Sequence, residues 1–86
     1  HRIRDVRDGV AEILFTMGSV MLGASMEQDA AIYLRLALHM QPDFTLAAMT
    51  LGESYAALRQ YKASNEAYAK VQKTNPLYYS AQINIA

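Results

Sequence analysis

Apolar positions recur three and four residues apart along the whole chain, and no run of strict alternation marks a strand. This pattern predicts a first helix from Val10 to Leu22, with Gly9 and Glu12 as its entry signal. Gly23-Ala24-Ser25 interrupts it, and Ser25 with Gln28 reads as a capping box for a second helix ending at Met40. Gln41-Pro42-Asp43 stops that helix, because proline cannot continue it. A third helix is predicted from Phe44 to Leu58, a turn at Arg59-Gln60, and a fourth helix from Tyr61 to Lys73, closed by Asn75-Pro76. Leu77 to Ala86 opens a fifth. The fold class is all-α. Residues 1–10 read as a solvated lead-in, where Arg2, Arg4 and Arg7 are diluted by Asp5 and Asp8.

The pattern nearly repeats with a period of 34 residues: Gly18 recurs as Gly52, Pro42 as Pro76 and Thr16 as Thr50. Between these identities residue class persists, as in Met17/Leu51, Met21/Tyr55, Ala30/Ser64, Leu34/Tyr68 and Ala37/Val71. A fixed period of this length is the signature of stacked helical hairpins. Glycine inside a helix costs about 1 kcal/mol relative to alanine. Two glycines at equivalent places therefore point to close approach of each hairpin's second helix, with Ala30 and Ser64 as matching small side chains. Tyr55 and Tyr68 are expected to fill the layer between hairpins, and the short turns make paired helices antiparallel.

Ala48-x2-Leu51-Gly52-x2-Tyr55, then Ser64-x3-Tyr68, then Pro76, resembles a tetratricopeptide repeat, and Leu14-x2-Met17-Gly18-x2-Met21, Ala30-x3-Leu34 and Pro42 resemble the repeat before it. Each motif is degenerate, with Leu14 and Ala48 where the family often has tryptophan. On this likeness residues 11–44 and 45–78 are the two repeats, and 79–86 begin a third. The resemblance implies a right-handed superhelical array of antiparallel hairpins whose concave face holds a partner protein or peptide. It places Glu12, Phe15, Ser19 and Leu22 on that face, then Leu46, Met49, Glu53 and Ala56, then Ser80 and Ile83. A subset of the family grips a C-terminal carboxylate with basic and amide side chains. Phe15, Ser19 and Leu46 stand where those groups are needed, so the resemblance does not extend to that clamp. A largely apolar groove suits an apolar or amphipathic segment, which Met49 can adapt to.

The two rear helices differ. Glu66, Lys70 and Lys73 form a solvated stripe, with a favourable acid-to-base spacing of four; the equivalent positions of the earlier helix are Ile32, Leu36 and His39. That apolar stripe reads as a second contact surface, for self-association or for cover within the parent chain. Two and a half hairpins also fall short of the roughly three that such arrays need, which points to a homo-oligomer. The alternative to partner binding is thus a scaffold segment that packs within its own chain or assembly.

Composition narrows the chemistry. The chain has 86 residues, 52% of them hydrophobic and 19% charged, which suits one folded soluble domain near the lower size limit. Zero formal net charge supplies no field for nucleic acid or an anionic membrane. Tyr33, Tyr61, Tyr78 and Tyr79 lack the basic groove that base stacking requires. There is no cysteine, hence no disulfide and no thiolate chemistry, and the redox compartment stays open. The apolar stretch Ile13 to Leu22 is too short to span a membrane. Gly52-Glu53-Ser54-Tyr55-Ala56 lacks the final glycine of a nucleophile elbow, and His39 and His1 have no metal-ligand spacing. No catalytic residue, metal or cofactor is therefore expected; the helices would otherwise be a non-catalytic appendage of an enzyme. The chain starts at His1 rather than methionine and stops inside an apolar pattern, as expected for a piece of a longer protein.

Overall fold

A computed structural model describes residues 3–71 and 77–85. Among these residues every regular element is a helix: α1 (Ile3–Gly23), α2 (Glu27–Met40), α3 (Thr45–Ala57), α4 (Tyr61–Tyr68) and α5 (Tyr78–Asn84). Each helix packs chiefly on its neighbours in sequence, with a further touch of α1 on α3. The result is a slab of 41 × 31 × 17 Å, thin enough that most helices keep one face in solvent.

α1 is longer than the sequence pattern predicts. Residues 3–10 are helical rather than a lead-in, with Asp5 in the first turn, where a carboxylate favours the helix dipole. Arg7 is a structural residue: its Nη2 donates to the His39 carbonyl at 3.1 Å and its Nε to the Met40 carbonyl at 3.4 Å. It thereby satisfies carbonyls at the end of α2 that have no partner within that helix. The same bonds set the start of α1 beside the end of α2, while Gly18 lies against Ala30 and Leu34, so the two helices run antiparallel.

The α1–α2 turn corrects the expected capping box. Ser25 adopts φ 61°, Ser25 N–H donates to Leu22 O at 3.0 Å and Met26 N–H to Met21 O at 2.9 Å. This is a Schellman closure of α1, with Ser25 in the left-handed position that glycine usually occupies. Met26 becomes the N-cap of α2, and no side chain caps it. The α3–α4 turn repeats the device: Arg59 has φ 60°, its N–H donates to Ala56 O at 2.9 Å, and Gln60 N–H donates to Tyr55 O at 2.9 Å. Ser25 and Arg59 are themselves 34 apart. The period thus reaches the backbone, at positions where the side chains have nothing in common.

Helix α4 ends at Tyr68, short of the predicted Lys73, and residues 69–70 form a turn. Lys70 therefore falls beyond the helix that was to carry its pairing with Glu66. Lys73, Asn75 and Pro76 lie outside the described residues.

Ala30, Ala31, Leu34, Ala37, Leu38, Ala47, Ala48, Leu51, Ala67, Tyr68, Val71 and Ala81 form the core. Alanines dominate where helices meet, which lets their axes approach closely. α3 is apolar on nearly every side because α2 and α4 flank it.

Candidate functional site

Gly18 and Gly52 explain how the paired helices come so close. A Cβ on Gly18 would stand 2.8 Å from Leu34 Cγ and 3.4 Å from the Ala30 carbonyl oxygen. At Gly52 it would stand 2.6–2.8 Å from three atoms of the Tyr68 ring. Of the two tyrosines expected in the layer between hairpins, Tyr68 covers Gly52 within its own hairpin. Tyr55 does border that layer, half-buried beside Arg35 and Leu51. The small residues Ala30 and Ser64 are buried as expected, and Ser64 Oγ donates to the Gly52 carbonyl at 2.8 Å. Burial pushes the Tyr68 phenol above its usual range, and the Glu53 carboxylate adds to the rise.

The residues assigned to the concave face divide into two groups. Phe15, Leu22 and Met49 are half-buried against the core, and the Phe15 ring meets Phe44 at a centroid distance of 5.0 Å, joining α1 to the start of α3. Ser19 and Ala56 are partly covered. Glu12, Leu46, Glu53 and Ile83 are exposed, Leu46 by 51% and Ile83 by 83%. Leu46 and Glu53 share one face of α3, two turns or about 10 Å apart. Thr16 and Thr50 hydroxyls donate to the Glu12 and Leu46 carbonyls at 2.9 and 2.8 Å, one more feature repeated at the 34-residue offset.

Ile32, Leu36 and His39 are exposed on α2. Ile32 lines a shallow hollow with Gln28, Arg35, Tyr55 and Leu58. Ser54 is fully buried and its hydroxyl donates to the Thr50 carbonyl, a packed helix serine out of reach of any substrate. Among the described residues no cluster of three or more histidine, aspartate or glutamate side chains is placed to hold a metal ion. No helix there is long and apolar enough to cross a membrane.

The short apolar spacing of α1 holds a feature that reading from Val10 onward misses. Val6, Val10, Ile13, Met17 and Val20 all project into solvent. Their spacing of four, three, four and three was the signal; four of the five lie within the helix predicted from Val10, and Val6 joins them because the helix starts at Ile3. Compared with protein-family models, curated proteins and solved structures, the chain matches none of them.

Proposed function

We propose that the chain is a protein-interaction module built from two hairpins of the tetratricopeptide kind, which bind a partner segment on the face carrying Glu12, Leu46 and Glu53. One observation carries this reading. Two successive hairpins repeat the same turn, the same hidden glycine and the same threonine back-bond at the 34-residue offset. A repeat so regular is an extendable scaffold, and such scaffolds present side chains on one continuous face.

With Phe15, Leu22 and Met49 half-committed to the core, the exposed portion of the face holds the apolar anchors Leu46 and Ile83, accompanied by Glu12 and Glu53. The partner it suits is an amphipathic segment bearing an apolar side chain and basic groups. The test is capture from lysate of the source cells by the wild-type chain and by Leu46→Glu/Glu53→Lys, with folding of both checked by circular dichroism. Loss of one specific protein with the folded double variant supports the reading. Equal capture by both removes the groove as a binding site. The competing reading, a scaffold segment that packs within its own chain or assembly, draws on the half-burial of Phe15 and Met49.

A further inference from the structure

We infer that the outer face of α1 is the seat for a basic amphipathic helix of a partner protein. The 34-residue offset shows what covers this face elsewhere in the molecule. Ile13, Met17 and Val20 of α1 stand where α3 has Ala47, Leu51 and Ser54, and Ile13 also stands where α5 has Ala81. On α1 the three are exposed by 62, 41 and 68%, whereas Ala47, Leu51, Ser54 and Ala81 are exposed by 2% or less. Gly18 and Gly52, by contrast, are buried alike, each under the second helix of its own hairpin. α3 has a helix on either side, α2 before it and α4 after it, while α1 packs chiefly on α2. α5 packs chiefly on α4, the helix before it, and Ala81 is buried there. The positions exposed only on α1 are therefore those that a preceding helix covers, and a helix is the shape that fits them.

Size and charge select the helix. Ile13 takes the place of two alanines, so the incoming helix needs an alanine-sized residue opposite it to come as close as α2 comes to α3. One flank of the stripe is acidic. Asp5, Gly9, Glu12 and Thr16 follow one another four, three and four residues apart, alongside Val6, Val10, Ile13 and Met17. Asp5 and Glu12 are exposed, and among the described residues neither carboxylate has a basic partner. Between them Gly9, with nothing within 4 Å of a Cβ built on it, opens a hollow bordered by Glu12, Ile13, Thr16 and Met17. The alkyl stem of a lysine or arginine can lie in that hollow while its charged end reaches Glu12.

A second copy of α1 laid antiparallel on the first would bring this acidic flank against itself, and like charges facing each other disfavour that pair. The occupant that answers both features has an apolar seam at three- and four-residue spacing, a small residue at its centre, and basic side chains along one edge. The seat shares only Glu12 with the face that carries Leu46 and Glu53. Leu46→Glu/Glu53→Lys tests that face without touching Ile13 or Val20, so the two readings fail separately.

The test titrates the isotope-labelled 86-residue chain with a synthetic helix that alternates alanine and leucine along its seam and carries lysines on one flank. Binding is expected to move the amide signals of Val10, Ile13, Met17 and Val20. It should be about tenfold tighter than binding of the same peptide with glutamates in place of the lysines. Ile13→Gln/Val20→Gln, at two exposed positions where glutamine keeps the helix, should weaken it about tenfold with the circular dichroism unchanged. Tyr61→Gln, at a comparably exposed site on α4, should leave it intact. Asp5→Lys/Glu12→Lys should reverse the preference between the two peptides. No binding of the lysine peptide at about 1 mM, equal binding of both peptides, or binding that survives Ile13→Gln/Val20→Gln would overturn the proposal. So would a chain that sediments alone with the mass of two and loses that mass in Ile13→Gln/Val20→Gln, which would assign the seat to a second copy.

Discussion

In the first hairpin a leucine lies over the hidden glycine, and in the second a tyrosine does. Leu34 is fully buried and flexible, and its neighbour Ala30 contributes only bulk. Tyr68 is a flat ring held at 4% exposure, and the Ser64 hydroxyl below it bonds across to the Gly52 carbonyl. The turn backbone is alike in both hairpins, with Ser25 and Arg59 in the left-handed region. The two differ in what covers the glycine, an aliphatic side chain in one and a planar ring in the other. A repeat geometry therefore tolerates a change of side-chain chemistry, provided that the volume above the glycine is filled from the second helix.

Alanine at the two glycines should expose this difference most strongly. Alanine gains about 1 kcal/mol of helix propensity at either site. At Gly52 the new methyl overlaps three atoms of a rigid ring, and overpacking of this kind costs about 1–3 kcal/mol or more. Gly52→Ala is expected to destabilise the fold by about 2 kcal/mol net, lowering the melting temperature by about 10 °C. Gly18→Ala meets Leu34 Cγ at 2.8 Å and Cδ2 at 3.0 Å, an aliphatic side chain that can give way by a small change of rotamer, and its net effect is expected within about 1 kcal/mol of zero. Equal melting temperatures for the two variants would remove the distinction between ring and aliphatic cover.

Next in size is the serine. Ser64→Ala gives the second hairpin the residue of the first, removing the Oγ bond to Gly52 without creating a large void. A loss of about 1 kcal/mol is expected in urea unfolding. The reverse change, Ala30→Ser, should be close to neutral if the Gly18 carbonyl accepts the new hydroxyl. If Ser64→Ala costs nothing, packing alone holds both hairpins.

The turns predict a gain. A residue other than glycine in the left-handed region costs about 1–2 kcal/mol, part of which glycine returns through its freedom in the unfolded chain. Ser25→Gly and Arg59→Gly should each stabilise by about 0.5–1 kcal/mol, and equally, since both turns carry the same bonds. Unequal gains in thermal melts would mean that one side chain contributes to its turn.

The 34-residue echo made the number of hairpins, the Pro42 break and the role of Gly18 and Gly52 readable, because these depend on local periodicity and on the lack of a side chain. Three features were not readable in that way. The start of α1 was obscured because Arg4-Asp5-x-Arg7-Asp8 looks solvated, whereas Arg7 finds its partners over 30 residues away on α2. The Ser25 turn was obscured because a serine three residues before glutamine fits a capping box as well as a Schellman closure, and only backbone dihedrals separate them. The split of the groove into half-buried and exposed members follows in part from Phe15 packing on Phe44, a contact between hairpins that spacing within one helix does not encode.

The smallest expected effect is a pH dependence confined to the second hairpin. Burial, aided by the Glu53 carboxylate, raises the Tyr68 phenol above its usual value of 10.0. The folded protein therefore holds this proton more tightly than the unfolded chain does. The associated stability is complete below pH 10 and is lost as the pH rises from there through the folded-state value, where unfolding releases the proton. Tyr68→Phe has no proton to release, so its urea midpoint should fall less between pH 9 and pH 11 than that of the wild type. Glu53→Gln should lower the folded-state value and so make the loss smaller, its onset near pH 10 unchanged. In the first hairpin the side chain over the glycine is Leu34, which carries no proton to titrate. Parallel pH profiles for the wild type and Tyr68→Phe would show that the ring covers Gly52 without its hydroxyl being held from solvent.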